Sequence, residues 1–238
     1  ADLFFGQNDW QKTVTWARKV QTVKSDEAQR LRAGYQEGFA LFKLGKFPEA
    51  ITGLGKTRTL ATTAKSETWV TRLDYLLSEC HASNKSLDKA EVSLQAALAN
   101  LRGSSAVDAQ YRLGTIKFNQ EKWIEAQADF ENFLRDNKKP EAEDPRIREA
   151  RFQVARCLME QKEAKKADKK FGDLSNGTDE VAGRSVFWRG RLYSRDGKYA
   201  QAANALRSAT DKEWYKKGFP SKGGKKAPTI VADIDFEY

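Results

Sequence analysis

The sequence predicts an all-α fold, a solenoid built from antiparallel helix pairs, and three observations carry that expectation. An aromatic or apolar residue recurs at Trp10, Phe47, Leu87, Trp123, Ala164 and Tyr199, with spacings of 37, 40, 36, 41 and 35 residues. Nine residues before each of these stands a small residue: Ala1, Gly38, Ser78, Gly114, Ala155 and Gly190. Three residues after come Thr13, Ala50, Ala90, Ala126, Ala167 and Ala202, and seven after come Ala17, Leu54, Leu94, Phe130, Phe171 and Leu206. Two small slots beside a mostly large one suit two helices that approach closely at one crossing and fill a core next to it.

The units follow in order. In the first, Ala1 already occupies the small slot, so the front half of the first helix is missing; either the chain is a piece of a longer solenoid or a partner covers that end. Ala-Asp at the start would also suit a signal-cleavage site. The second unit, with LGKFPEAI at 44–51, turns at Gly45. It contains Ala50-Ile-Thr-Gly-Leu-Gly-Lys-Thr57, which fits a loose phosphate-loop pattern but follows a helix and a turn, where a working phosphate loop follows a buried strand. Ala50 and Leu54 already serve as packing positions, so the segment is expected to be structural.

The third unit turns at Lys85 and holds His81, the only histidine, at a position where other units have Phe4, Leu41, Lys117, Leu158 and Tyr193. A half-buried packing role is expected for it, not that of a catalytic base. Cys80 here and Cys157 in the fifth unit share one slot with Leu3, Ala40, Ile116 and Leu192, and read as buried small hydrophobes too far apart for a disulfide. The fourth unit carries QEKWIEAQ at 120–127 and ends in a long loop, Asp136 to Asp144, where Glu141, Glu143 and Asp144 beside Lys138 and Lys139 read as a solvated charge run. The sixth unit, with DGKYAQAA at 196–203, turns at Gly197.

After the last helix the chain changes character. Residues 216–226 are basic and Gly-rich, whereas 229–238 alternate, with Ile230, Ile234, Phe236 and Tyr238 on one side and Asp233, Asp235 and Glu237 on the other. Period-two alternation predicts an extended strand that docks on a groove of its own chain or of a neighbour, or adds to a partner's sheet edge. The expected organisation is a solenoid over 1–212 and a linker and tail over 213–238.

This pattern resembles the tetratricopeptide repeat (TPR), whose small slot, aromatic, Ala and large apolar residue recur in helix-turn-helix units. The resemblance spans about residues 1–210 and is clearest for the units of Phe47, Trp123 and Tyr199. It implies a right-handed superhelical stack. The wording of 108–134, DAQYRLGTIKFNQEKWIEAQADFENFL, is similar to bacterial cell-envelope members such as outer-membrane assembly lipoproteins and Tol-Pal-associated proteins, and implies a periplasmic or envelope setting, with the cytoplasm as the alternative. In the family, the slot twelve residues before the register faces the concave groove, and here it holds Tyr35, Tyr75, Tyr111, Phe152 and Phe187. Phe39, Arg72, Phe118, Arg156, Arg191 and Arg195 flank it. Aromatic area ringed by Arg is the composition of binding hot spots, although the same rings are placed to pack between neighbouring first helices. The slots that hold Lys and Asn in chaperone-binding members hold Tyr or Phe here, so a chaperone's terminal carboxylate is not the expected ligand.

Composition narrows the function further. No apolar stretch approaches the roughly 20 residues a bilayer helix needs. One His and two Cys do not supply a Cys-cluster or His-rich metal site, and no cofactor is expected. The formal charge of +9 is concentrated in 183–228, with 12 basic against 3 acidic residues, so a uniformly basic nucleic-acid coat is not expected. The sequence thus points to a non-enzymatic scaffold that binds protein partners in a larger assembly, with self-association through the tail as one route. Nucleic-acid binding by 183–228 is the alternative, and a steep loss of affinity with salt would mark it.

Overall fold

The computed structural model describes residues 1–23 and 26–210, and among them every regular element is a helix. In chain order these are α1 (Asp2–Gly6), α2 (Trp10–Thr22), α3 (Glu27–Lys43), α4 (Phe47–Thr63), α5 (Glu67–Ser83), α6 (Leu87–Leu98), α7 (Gly103–Asn119), α8 (Trp123–Asp136), α9 (Arg146–Glu160), α10 (Ala164–Ser175), α11 (Glu180–Arg195) and α12 (Tyr199–Thr210). Each register position is the first residue of an even-numbered helix. The repeat therefore marks the start of the second helix of every pair. Two compact units result, Ala1–Glu121 and Lys122–Tyr238. Within each unit consecutive helices pack on one another, and first helices of neighbouring pairs also meet, α3 with α5 and α9 with α11. The 213–238 segment, with the predicted strand, lies outside the described residues. No described helix is long and apolar enough to cross a membrane.

The turns follow from one backbone device. Two residues before each second helix the chain enters the left-handed region, at Asn8, Gly45, Lys85, Glu121, Lys162 and Gly197, with φ between 57° and 73°. At Gly45, the Gly45 N–H donates to the Phe42 carbonyl (3.0 Å) and the Lys46 N–H to that of Leu41 (2.9 Å), which satisfies carbonyls the helix end would leave unpaired. The same pair of bonds closes the turns at Lys85, Lys162 and Gly197, and also at Lys65 between α4 and α5.

Packing confirms the slots. Every residue three and seven positions after the register is buried, from Thr13 and Ala17 to Ala202 and Leu206. A Cβ added to Gly38 would collide with Leu54, and one on Gly190 would come within 2.8 Å of Leu206, so the small slot of a first helix sits directly against the large slot of the second. Leu3 departs from its slot: it is exposed, whereas Cys80, Ile116 and Cys157 are buried there. The five-residue α1 packs instead through Phe5 against Trp10 and Phe39 (ring centroids 5.9 and 5.4 Å) and through Phe4 against Trp16 (6.2 Å).

Ala50 to Thr57 lies inside the continuous α4, with the Thr57 hydroxyl donating to the Gly53 carbonyl at 3.0 Å, so no phosphate loop forms. Burial pushes both cysteine thiols up to about 12, in keeping with inert core positions. Asp144 departs from the expected solvated run, because it is only 4% exposed. It accepts bonds from Asn137 Nδ2 (2.9 Å) and from Arg146 N, Nε and Nη2 (3.1, 2.9 and 2.8 Å), while Glu141 holds Arg148 and Arg151. Asp144 and Glu141 thus tie the start of α9 to the loop, while Glu143, Lys138 and Lys139 are exposed as expected.

Candidate partner-binding faces

The aromatic slot falls on the odd-numbered helices, and its residues divide between the two units. In the first, Tyr35 and Phe39 stack on α3 (6.4 Å between centroids), and Tyr35 meets Trp69 of α5 at 5.8 Å. The Arg72 guanidinium lies 5.3 Å over Trp69, and Lys43 lies 5.2 Å over Phe39. Cation–π pairs of this kind hold charge against a ring while leaving the outer edge of the guanidinium open to a ligand. Burial raises the Tyr35 pKa, opposed by the nearby Arg72 charge, so the phenol stays protonated at neutral pH. Beside Arg72 a cavity of about 520 Å³ opens between the start of α5 and the α6–α7 connection, lined among others by Thr71, Asn100, Arg102 and Ser105.

Further along α5, the Tyr75 hydroxyl donates to Asp108 of α7, and Arg112 spans the gap by pairing Asp108 (2.8 Å) and Glu79 (2.6 Å) while lying 5.6 Å over the Tyr75 ring. Desolvation raises the Tyr75 pKa, and the bond to Asp108 adds to it. This is a closed polar network that fixes α5 against α7. Tyr111 and Phe118 stand half-buried on α7.

In the second unit the slot residues separate. Phe152 is fully buried, packed edge-on against Phe171 at 5.9 Å and roofed by Arg184 at 4.1 Å. Among the expected contact residues within the described part of the chain it is the one placed wholly in the core. Phe187 is half-buried and lies edge-on to Trp188 at 5.8 Å. Arg156 of α9 stacks 3.5 Å over Trp188, with Arg191 5.4 Å from the same ring. Arg195 bridges back to α9 through Glu160 (3.4 Å) and the Met159 carbonyl.

Sequence reasoning missed Trp69, Trp188, Asp108 and Arg112. Arg112 and Trp188 share the slot one residue after the predicted aromatic, where Gln36 and Gln153 also stand, so a polar or aromatic residue in place of a core aliphatic was the available signal. The basic region also changes meaning. Within its described part, Arg184 pairs with Glu149 (2.8 Å), Arg189 with Asp168 (2.6 Å) and Arg195 with Glu160 (3.4 Å), so much of that charge is spent inside the fold. The tail residues Ile230, Ile234, Phe236 and Tyr238 lie outside the described residues. Among the described residues no group of His, Cys, Asp and Glu could hold a metal ion.

Residues 111–170 match the family model described as tetratricopeptide repeat. A sequence search of curated proteins gives no significant match. Among solved structures, the TPR-like repeats of a putative kinesin light chain from Podosopora anserina align at 17% identity and TM-score 0.64, covering 81% of this chain and 99% of that one. YrrB, described as a TPR protein with an unusual peptide-binding site, aligns at 18% identity and TM-score 0.57, with 82% and 90% coverage. The apo form of RapI aligns at 11% identity and TM-score 0.70 over 99% of this chain and 67% of that one. At these identities the likeness establishes a TPR-like all-helical fold.

Proposed function

We propose that the chain is a non-catalytic scaffold that binds protein partners through the faces of its odd-numbered helices, within a larger assembly. The observation that carries this reading is the pairing of half-buried rings with guanidinium groups on those faces, Arg72 on Trp69 and Arg156 with Arg191 on Trp188. Such anchors lose little conformational entropy on binding and offer both apolar area and charge-assisted hydrogen bonds. The peptide-binding site in the description of YrrB is consistent with this use of the fold. A bacterial cell-envelope setting belongs to the same proposal, supported by the wording of 108–134 and checked by fractionating the native source.

The test is affinity purification from the native source with the unaltered chain and with Arg72→Glu. Proteins enriched with the first and at least about tenfold depleted with the second are the expected result, since reversing one hot-spot charge costs on the order of 1.4 kcal/mol or more. Equal recovery with both proteins, or nothing enriched with either, overturns the reading.

A further inference from the structure

On the face of α9 and α11 the cations are not all neutralised. Arg184 and Arg195 have carboxylate partners in Glu149 and Glu160, whereas Arg191 is exposed, rests on Phe187 (5.7 Å) and Trp188 (5.4 Å), and has no carboxylate partner among the described residues. Burial lowers the pKa of Arg156 most, Glu160 opposes that, and the charges of Arg184 and Arg191 lower it further. Like charges are therefore crowded around one indole, which favours an arriving anion that also brings apolar surface.

The chain itself contains such a segment. Residues 229–238 place Asp233, Asp235 and Glu237 at alternate positions between Ile230, Ile234, Phe236 and Tyr238. It is tethered within reach. The contact of Gly190 with Leu206, in helices joined by a tight turn, sets α11 and α12 antiparallel, so the end of α12 at Thr210 lies level with about Val186, two residues or about 3 Å of helix rise from Trp188. Residues 211–228 link the segment to α12, and a chain of that many residues can extend to no more than about 65 Å.

We propose that the α9–α11 face around Trp188 is a docking surface for an extended acidic segment with alternating apolar residues, and that its occupant in the isolated protein is residues 229–238 of the same chain. The apolar edge of the segment meets the rings of Phe187 and Trp188, and its carboxylates meet Arg191 and Arg156. An external partner for this face then has the same chemistry and must displace the tail. The inference goes beyond the scaffold reading and stands or falls without any external partner, because both elements belong to one chain.

The experiment uses the full chain with the photoreactive residue p-benzoylphenylalanine in place of Phe236. Irradiation is expected to give an adduct of single-chain mass whose cross-linked peptide comes from α9 or α11. Arg191→Glu, an exposed change checked for unaltered helicity by circular dichroism, should lower that yield about fivefold, the effect of roughly 1 kcal/mol of lost pairing. Adding Asp235→Arg to Arg191→Glu should restore it. Adducts that map to other helices, a yield indifferent to Arg191→Glu, or a product of twice the chain mass, which would assign the tail to a second copy, each overturn the proposal.

Discussion

Asp74 and Asp144 are both buried carboxylates, and each depends on an arginine whose own side chain reaches solvent. Arg58 reaches from α4 to hold Asp74 of α5 through both Nε and Nη2, the latter at 2.9 Å. Arg58→Ala leaves that carboxylate buried without its partner and is expected to lower stability by about 2–4 kcal/mol, more than Asp74→Ala, which leaves a half-exposed guanidinium free to hydrate. Urea melts of the two variants check the order. The bonds from Arg146 hold the Asp144 carboxyl well below the usual carboxylate range, against the opposing effect of burial. A depressed folded-state pKa contributes stability that is complete above the unfolded value near 4 and is lost as pH falls through the folded one. Asp144→Asn should therefore flatten the loss of stability below about pH 4, seen in melting temperature against pH. Neither carboxylate was legible as buried from sequence: Asp144 sits in a run of mixed charge beside two prolines, and only the fold reveals that Asn137 and Arg146 close around it.

Helix pairs were more legible than their contacts, because a small residue and its large opposite recur at fixed spacing whatever the loop lengths, and only such spacing survives insertion of loop residues. The glycines test this. Gly38 and Gly53 both lie within helices, yet Gly38 faces Leu54 with no room for a Cβ whereas Gly53 has nothing within 4 Å. Gly38→Ala should destabilise by about 1–3 kcal/mol through overpacking, and Gly53→Ala should stabilise by roughly 0.5–1 kcal/mol through helix propensity. Calorimetric melting temperatures moving in opposite directions are the expected outcome. The turns offer the complementary change. Lys85 and Lys162 hold φ of 59° and 63° with exposed side chains, a conformation that costs a non-glycine residue about 1 kcal/mol. Lys85→Gly should recover most of that, reduced by the greater freedom glycine has in the unfolded chain, and a small rise in the urea midpoint checks it. The site residues were legible as a slot but not as a surface: Phe152 has the right spacing and yet is sealed by Phe171 and Arg184, which is a matter of which side chain the neighbouring helix supplies.

For the molecule as a whole, stability in a stack of pairs is a sum of local terms, each pair depending on its neighbours. A lesion in one pair should accordingly spread only a short way. Hydrogen exchange of Gly38→Ala is expected to lose protection in α3 and α4 and the helices that pack on them, with α10 to α12 unchanged; a uniform loss along the chain would show a single cooperative block instead. The charge of +9 also takes its meaning at this scale, since in the described part of its basic segment arginines are committed to Glu149, Glu160 and Asp168, and the exposed Arg191 remains for a ligand. The bonds at Lys65, from its N–H to Thr62 and from Ser66 N–H to Ala61, are the same as those at Gly45, although one joint lies between repeats and the other within a repeat. The chain has no privileged reading frame there: α3 with α4 and α4 with α5 are equally well-closed hairpins. A duplication of genetic material that began in either frame would carry one closed hairpin, and the faces left open at the two ends of the array would still need covering.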